Sequence, residues 1–322
     1  MSLPTSNYST GATGQAGTEI SVIICTYNRE KYLPPLLESI VSQDYPHERY
    51  EIVLINNNSA DRTEQVCRQF TQSHPDVRFL YFVETQQGLS FARNRGIAES
   101  RGDLLLYVDD DATVFPNYLQ AYSRFFRIHP EIMAAGGPII PHYEGTPPAW
   151  LTYFTQELLT GYLYRGDKPG VFTHGKYPGG GNACYRKTFF TQFGLFNVEL
   201  GRKGKNLIGA EEKDLFSRFL AAGNKIGYVP EAGIYHYIPP EKLTREHLIR
   251  LSYSIGVSER IRTRSVSSSA YFKRIFSESV KWGATVVLFL GYLIRFQYAK
   301  GEKLLEFRYR VTRGLLGWKA KN

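Results

Sequence analysis

The chain has 322 residues, 43% hydrophobic and 21% charged, an ordinary balance for a folded globular protein with room for one large α/β domain and an appendage, or for two modest domains. Its three cysteines, Cys25, Cys67 and Cys184, lie far apart without CxxC spacing, which excludes a zinc module or disulfide framework and fits a reducing compartment. The net charge of +9 is uneven: residues 242–322 hold 17 Lys/Arg against 5 Asp/Glu, and the preceding residues 22 against 25, so a basic tail follows a near-neutral body and is suited to an anionic partner.

Residues 1–18 are rich in Ser, Thr and Gly, with neither a basic start nor an apolar core, and read as a flexible leader rather than a secretory signal. The body then alternates apolar runs with amphipathic stretches. Strands are predicted over 20–25, 51–56, 77–83 and 103–108, with helices over 30–43, 61–71 and 92–99 between them. This alternation predicts βαβ units and a mainly parallel sheet flanked by helices. Ligands of such sheets bind beyond the carboxyl ends of the strands, and three of those ends are polar: 26–29, 56–59 and 109–111. Residues 138–182 are rich in Gly, Pro and aromatics, and read as long loops. A helix is predicted over 212–222. After Pro239-Pro240 the composition turns basic and aromatic, so the expected organisation is a leader over 1–18, a catalytic body over 19–240 and a helical extension over 241–322.

Asp109-Asp110-Asp111 follows a buried strand. Alternate side chains share a face, so Asp109 and Asp111 point together while Asp110 points away. Carboxylates this close repel one another unless a cation lies between them, and a hard divalent ion completed by diphosphate oxygens suits the arrangement. A solvated acidic loop is the plain alternative.

The chain resembles the inverting family 2 glycosyltransferases of the GT-A fold. The resemblance covers about two thirds of the chain and rests on motifs in order: Ser21-Val-Ile-Ile-Cys-Thr-Tyr-Asn-Arg29, Ile55-Asn-Asn-Asn-Ser-Ala-Asp61, Gly88-Leu-Ser-Phe-Ala-Arg-Asn-Arg-Gly96, Asp109-Asp-Asp111, Gly180-Gly-Asn182, Gly209-Ala-Glu-Glu-Lys-Asp214 and Pro230-Glu-Ala-Gly-Ile-Tyr-His236. It implies metal-dependent transfer of a sugar from a nucleotide diphosphate donor, a UDP-sugar being expected, to an acceptor hydroxyl on a saccharide or lipid-linked saccharide.

The resemblance also implies roles. Thr26, Tyr27 and Arg29 line the nucleotide pocket, where a hydroxyl, an aromatic face and a cation suit a base and its phosphates. Asn56 and Asn58 join them, although Asn56 stands where the family usually has an aspartate that accepts from a uracil-type ring; an amide oxygen can accept too but carries no charge. Asp61 reads as a helix cap. Arg93 and Asn94 contact the nucleotide, with a surface ion pair as the alternative for Arg93. Asp109 and Asp110 meet the donor, while Asp109, Asp111 and His236 hold Mn2+ or Mg2+. Gly180, Gly181 and Asn182 allow close approach of sugar or phosphate. The family motif is usually Glu-Asp, its second residue being the general base; here Glu212 takes that place, with Glu211 in reserve. First-turn acids complementing a helix dipole are the alternative for both.

In the tail, residues 282–294 are thirteen without a charge, too few for an ordinary transmembrane helix. Trp282, Tyr292 and Tyr298 near its ends, with Lys273, Arg274, Lys281, Arg295 and Lys300 around it, suit a helix lying on an anionic membrane surface. A core helix docked on the body is the alternative. Without a nucleic-acid-binding motif, nucleic acid is not the expected partner. The expectation is a cytoplasmic enzyme, peripheral on the inner face of the cell membrane. A non-catalytic scaffold of a polysaccharide assembly and a sugar nucleotidyltransferase are the competing classes; the second lacks its Gly-rich phosphate loop near the N-terminus.

Overall fold

The computed structural model describes residues 7–10, 17–204 and 206–318. The strands are β1 (Tyr8–Thr10), β2 (Ile20–Thr26), β3 (Tyr50–Asn56), β4 (Phe79–Val83), β5 (Leu104–Asp109), β6 (Ala112–Val114), β7 (Ala134–Gly136), β8 (Ile139–Tyr143), β9 (Gly170–Val171), β10 (Asn182–Arg186), β11 (Ile226–Tyr228) and β12 (Ile234–Ile238). The α-helices are α1 (Leu33–Val41), α2 (Thr63–Ser73), α3 (Leu89–Glu99), α4 (Tyr118–Ile128), α5 (Tyr153–Thr160), α6 (Thr188–Phe193), α7 (Glu211–Ala221), α8 (Arg245–Val266), α9 (Ser268–Ile294) and α10 (Tyr298–Leu316).

Two compact units result. The first comprises residues up to 142 with 162–196 and 215–237. Its sheet runs β1-β4-β3-β2-β5-β10-β7-β11-β9, and a smaller sheet runs β6-β12-β8. Strands β4, β3, β2 and β5 are parallel neighbours, while β10 is antiparallel to β5. Strand succession moves outward from β2 through β3 to β4, then returns to place β5 on the other side of β2. The carboxyl ends of β2 and β5 therefore flank the point where strand order reverses, the usual binding crevice of an open α/β sheet. In register, Cys25 lies opposite Asp109 and Thr26 opposite Asn56.

Period-two alternation builds the core on both faces. Val22, Ile24, Ile52, Leu54 and Leu106 pack with Leu33, Leu36, Leu37 and Ile40 of α1. Ile23, Val53, Ile55 and Leu105 pack on the other face with Ala92 and Ile97 of α3 and with the rings of Phe189, Phe216 and Phe219.

The second unit comprises 143–161, 197–214 and 238 onward. Gly256 of α8 and Gly314 of α10 mark a backbone crossing; a Cβ at either would stand 2.1 Å from Val311 O or 2.2 Å from Tyr253 O. Buried charges link the helices. Glu259 accepts from Lys213 (2.6 Å), Arg262 (3.1 Å) and Arg274 (2.9 Å), and Glu278 from Arg274 (2.7 Å) and Arg308 (2.8 Å). Arg274 thus serves the interior.

Three expectations change. Tyr8–Thr10 is not leader but an edge strand antiparallel to β4, with the Tyr8 ring stacked on Tyr81 at 4.8 Å; residues 1–6 and 11–16 lie outside the described residues. Residues 138–182 are not all loop: they contain β8, β9 and α5, whose start is a reciprocal cap between Thr152 and Thr155. The chain changes unit close to the Pro239-Pro240 pair, but 143–161 and 197–214 also belong to the second unit, so Glu211 and Glu212 lie there and not with the large sheet.

Candidate active site

At the end of β5 the chain turns through Asp110 and Asp111 into β6, whose Ala112 is registered against His236 of antiparallel β12. The Tyr237 N–H donates to Asp111 O at 2.8 Å, tying the turn to the same strand. These two ladders bring Asp109, Asp111 and His236 together, each offering one ligand atom, all within 4.8 Å of one another. His236 Nε2 is 3.1 Å from Asp111 Oδ1, and the Arg29 guanidinium is 3.6 Å from Asp111 Oδ2. Two carboxylates and an imidazole, with Asp111 buried, form an oxygen-rich set with one nitrogen that fits Mn2+ or Mg2+.

Asp109 is pressed against β10. Its N–H donates to Gly181 O at 3.2 Å, and a Cβ at residue 181 would fall 2.0 Å from Asp109 Oδ2. The glycine is required because the carboxylate occupies the space a side chain would take. Asp110, in the turn beside these three, is held protonated more readily than an ordinary aspartate: burial and then Asp111 push its carboxyl up, and Arg29 opposes them. Arg29 responds in kind; burial favours losing its proton, but Asp110 and Asp111 together raise its pKa. The Arg29 guanidinium also lies 5.6 Å from the Tyr32 ring centroid.

Among the expected nucleotide residues, Thr26 is buried and Tyr27 is 38% exposed at the crevice end of β2, a ring with a free flank. Asn58 adopts a left-handed φ of 64° and is half-buried. Arg93 is not a surface residue: its guanidinium lies 5.8 Å from the Tyr107 ring centroid and 5.3 Å from that of Phe196, and its charge bears on Cys25. Gly180 is half-buried beside Gly181.

Three asparagines have bracing roles. Asn56 is 1% exposed; its Nδ2 donates to Tyr81 OH at 2.7 Å and its Oδ1 accepts from Ser59 N at 2.8 Å, so its amide secures the loop after β3 instead of facing a base. Asn94 pins a distant segment, donating to Phe196 O at 2.9 Å and accepting from Phe196 N at 3.0 Å. Asn182 is fully buried: Oδ1 accepts from Tyr118 OH (2.9 Å) and Tyr122 OH (2.8 Å), and Nδ2 donates to Pro138 O (3.0 Å) and Ala232 O (2.8 Å). Every site on that amide is used within the protein, leaving none for a sugar. Asp61 lies one residue before the N-cap of α2, Arg62, and its Oδ1 accepts from Thr63 N (3.1 Å) and Thr63 Oγ1 (2.6 Å).

Asn57 was not singled out from the sequence. Its Oδ1 accepts from Gly88 N at 2.8 Å and its Nδ2 donates to Glu84 O and Gln86 O, so one buried amide ties the end of β3 to the start of α3. The run Asn56-Asn57-Asn58 was the available signal, since amides replace missing ladder partners where a strand stops.

In the second unit, Glu211 and Glu212 open α7 after Ala210, a non-glycine residue at φ 73°. Such a conformation costs energy and persists only where neighbours impose it. Gly209 N donates to Ser258 Oγ at 3.0 Å and Lys213 pairs with Glu259, so α8 braces this turn on both sides. Glu211 is buried and Glu212 half-buried.

Residues 21–193 match glycosyl transferase family 2, and the chain belongs to that family: it is a glycosyltransferase of the GT-A fold. Glucosyl-dolichyl phosphate glucuronosyltransferase of Haloferax volcanii is 25% identical over 249 residues, spanning 76% of this chain and 77% of that protein. A dolichyl N-acetyl-glucosaminyl phosphate glucuronosyltransferase of Methanococcus voltae, acting with a diacetamido sugar, is 31% identical over 126 residues, 37% of this chain and 39% of that protein. Mannosyltransferase PcManGT of Pyrobaculum calidifontis, solved with GDP-Man and Mn2+, shares the fold at a TM-score of 0.61 and 16% identity, over 96% of this chain and 90% of that one.

Proposed function

We propose that the protein transfers a sugar, with inversion, from a nucleotide diphosphate sugar to a hydroxyl of a lipid-linked saccharide during synthesis of a cell-surface polysaccharide or glycoconjugate. The convergence of Asp109, Asp111 and His236 beside the reversal point of the sheet carries the reading. These three residues would hold Mn2+ or Mg2+, which when bound supplies positive charge to a diphosphate leaving group. A UDP-sugar remains the expected donor, with Tyr27 offering its exposed ring to the base and Arg29 a cation to the phosphates. Lipid-linked substrates named for the dolichyl-phosphate relatives favour an acceptor of that class and so a place at a membrane, with the inner face as the expected side.

Glu212 is the general base, in the position where the family motif has its second acid. Its carboxylate takes the acceptor proton as that oxygen bonds to the anomeric carbon; the bond from that carbon to the diphosphate oxygen breaks, its electrons leaving with the nucleotide. One displacement inverts the configuration. Partial exposure suits Glu212 to this better than buried Glu211. Glu212→Gln is expected to lower turnover by roughly 100-fold or more while donor binding persists. Nucleoside diphosphate release, with Mn2+-dependent thermal stabilisation by the donor as the binding control, tests this; turnover within a few-fold of wild type would remove Glu212 from the role.

A further inference from the structure

Helix α9 is built inside out. Its buried residues, Tyr271, Glu278 and Thr285, recur every seventh position, and two of them are polar. Glu278 is 2% exposed between Arg274 and Arg308, and Arg308 also donates to Thr285 Oγ1 at 3.2 Å. The opposite face carries Phe272, Phe276, Val280, Val287, Leu290 and Ile294, each 51–78% exposed. With Gly283 between Val280 and Val287, they advance by steps of four and three, one continuous helical stripe. A run of exposed apolar side chains over a helix of 27 residues marks a surface meant to be covered.

Charge selects the cover. Glu278 is the one acid on α9 and it faces inward, whereas Lys273, Lys281 and, just past the helix, Arg295 are exposed. A second copy packed by two-fold symmetry would bring these cations toward their own kind, with no exposed acid on the helix to answer them. An anionic headgroup layer answers them directly and accepts the apolar stripe beneath it. The exposed rings of Phe296, just past α9, and Tyr298, the first residue of α10, suit the same boundary. Among the described residues no helix is long and apolar enough to cross a membrane, so the contact is parallel to the surface.

We infer that the Phe272–Ile294 face of α9 seats the protein on an anionic lipid surface, held outward by the ion pairs on its inner side. The inference adds a docking face to the catalytic reading and does not depend on the sugar-transfer chemistry. It is tested with the full-length protein by flotation on phosphatidylcholine vesicles with and without phosphatidylglycerol. Wild type is expected to float with the anionic vesicles and to be released by about 0.5 M NaCl, where screening is strong. The triple variant Phe276→Glu, Val287→Glu, Leu290→Glu is expected to bind roughly tenfold or more weakly with an unchanged helical spectrum. Should that variant misfold, Lys273→Glu with Arg295→Glu supplies the second measurement: its preference for anionic vesicles should vanish. Absence of wild-type flotation, equal binding to neutral vesicles, or wild-type binding by the triple variant would each overturn the inference. So would a lipid-free dimer that the triple variant dissolves, which makes the occupant a second copy.

Discussion

Gly181→Ala probes the candidate metal site without altering a ligand. The added Cβ would sit 2.0 Å from Asp109 Oδ2, whereas ordinary contact begins near 3.4 Å, so the carboxylate must retreat by about 1.4 Å. Residue 181 has no left-handed φ that would strain an alanine, and the steric conflict falls chiefly on that one side chain. Misplacing a reacting or binding group by about 1 Å costs roughly 100-fold in rate. The expected result is therefore about a 100-fold fall in metal-dependent kcat/KM and a comparable weakening of Mn2+ binding, measured independently of donor by the EPR signal of free Mn2+. Overpacking costs about 1–3 kcal/mol, so a modest fall in thermal midpoint is expected beside it. If Mn2+ affinity and kcat/KM both stayed within threefold of wild type, Asp109 would not be a ligand in this geometry.

Asn182→Ala should act on stability, because it strips partners from two tyrosyl hydroxyls and two backbone carbonyls at once; about 3 kcal/mol or more is expected in urea unfolding. Asn94→Ala should cost less, on the order of 1–2 kcal/mol, since it breaks two hydrogen bonds that are only partly buried. Acid should loosen the second unit: burial alone would raise the Glu259 carboxyl, but Lys213 and Arg262 hold it down at about 2, against an ordinary 4.5. Because the folded value is the lower one, its stabilisation is present above about 4.5 and lost as pH falls toward 2, a difference of roughly 3 kcal/mol that Glu259→Gln should abolish from the pH profile of unfolding.

Local pattern carried much of the fold. Apolar runs at 22–25 and 104–108 mark strands buried on both faces, and the polar residues that follow them, 26–29 and 109–111, mark the crevice. Alternation grouped Asp109 with Asp111, which do lie together, although the chain turns there and is no longer a strand. What escaped was decided at long range. An asparagine beside a glycine pair looks the same whether it faces a sugar or braces a core, and the Asn182 partners come from α4 and from two turns some 44 to 64 residues away. The partner of Asn94 is 102 residues distant. Tyr8 is legible as a strand residue only once Tyr81 presents an open edge. The interleaving of the two units follows from packing of separate segments, which no periodicity within one segment encodes.

His236 reaches the acids through strand parity. In β12, Ile234, His236 and Ile238 share one side and Tyr235 and Tyr237 the other, with Ala112 fixing the alignment. Losing a single residue between Ala232 and His236 would swing the imidazole away and present a phenol in its stead, with every ligand still in the sequence. Length in this stretch is thus as constrained as composition, and natural insertions here would mark a centre that has changed its chemistry.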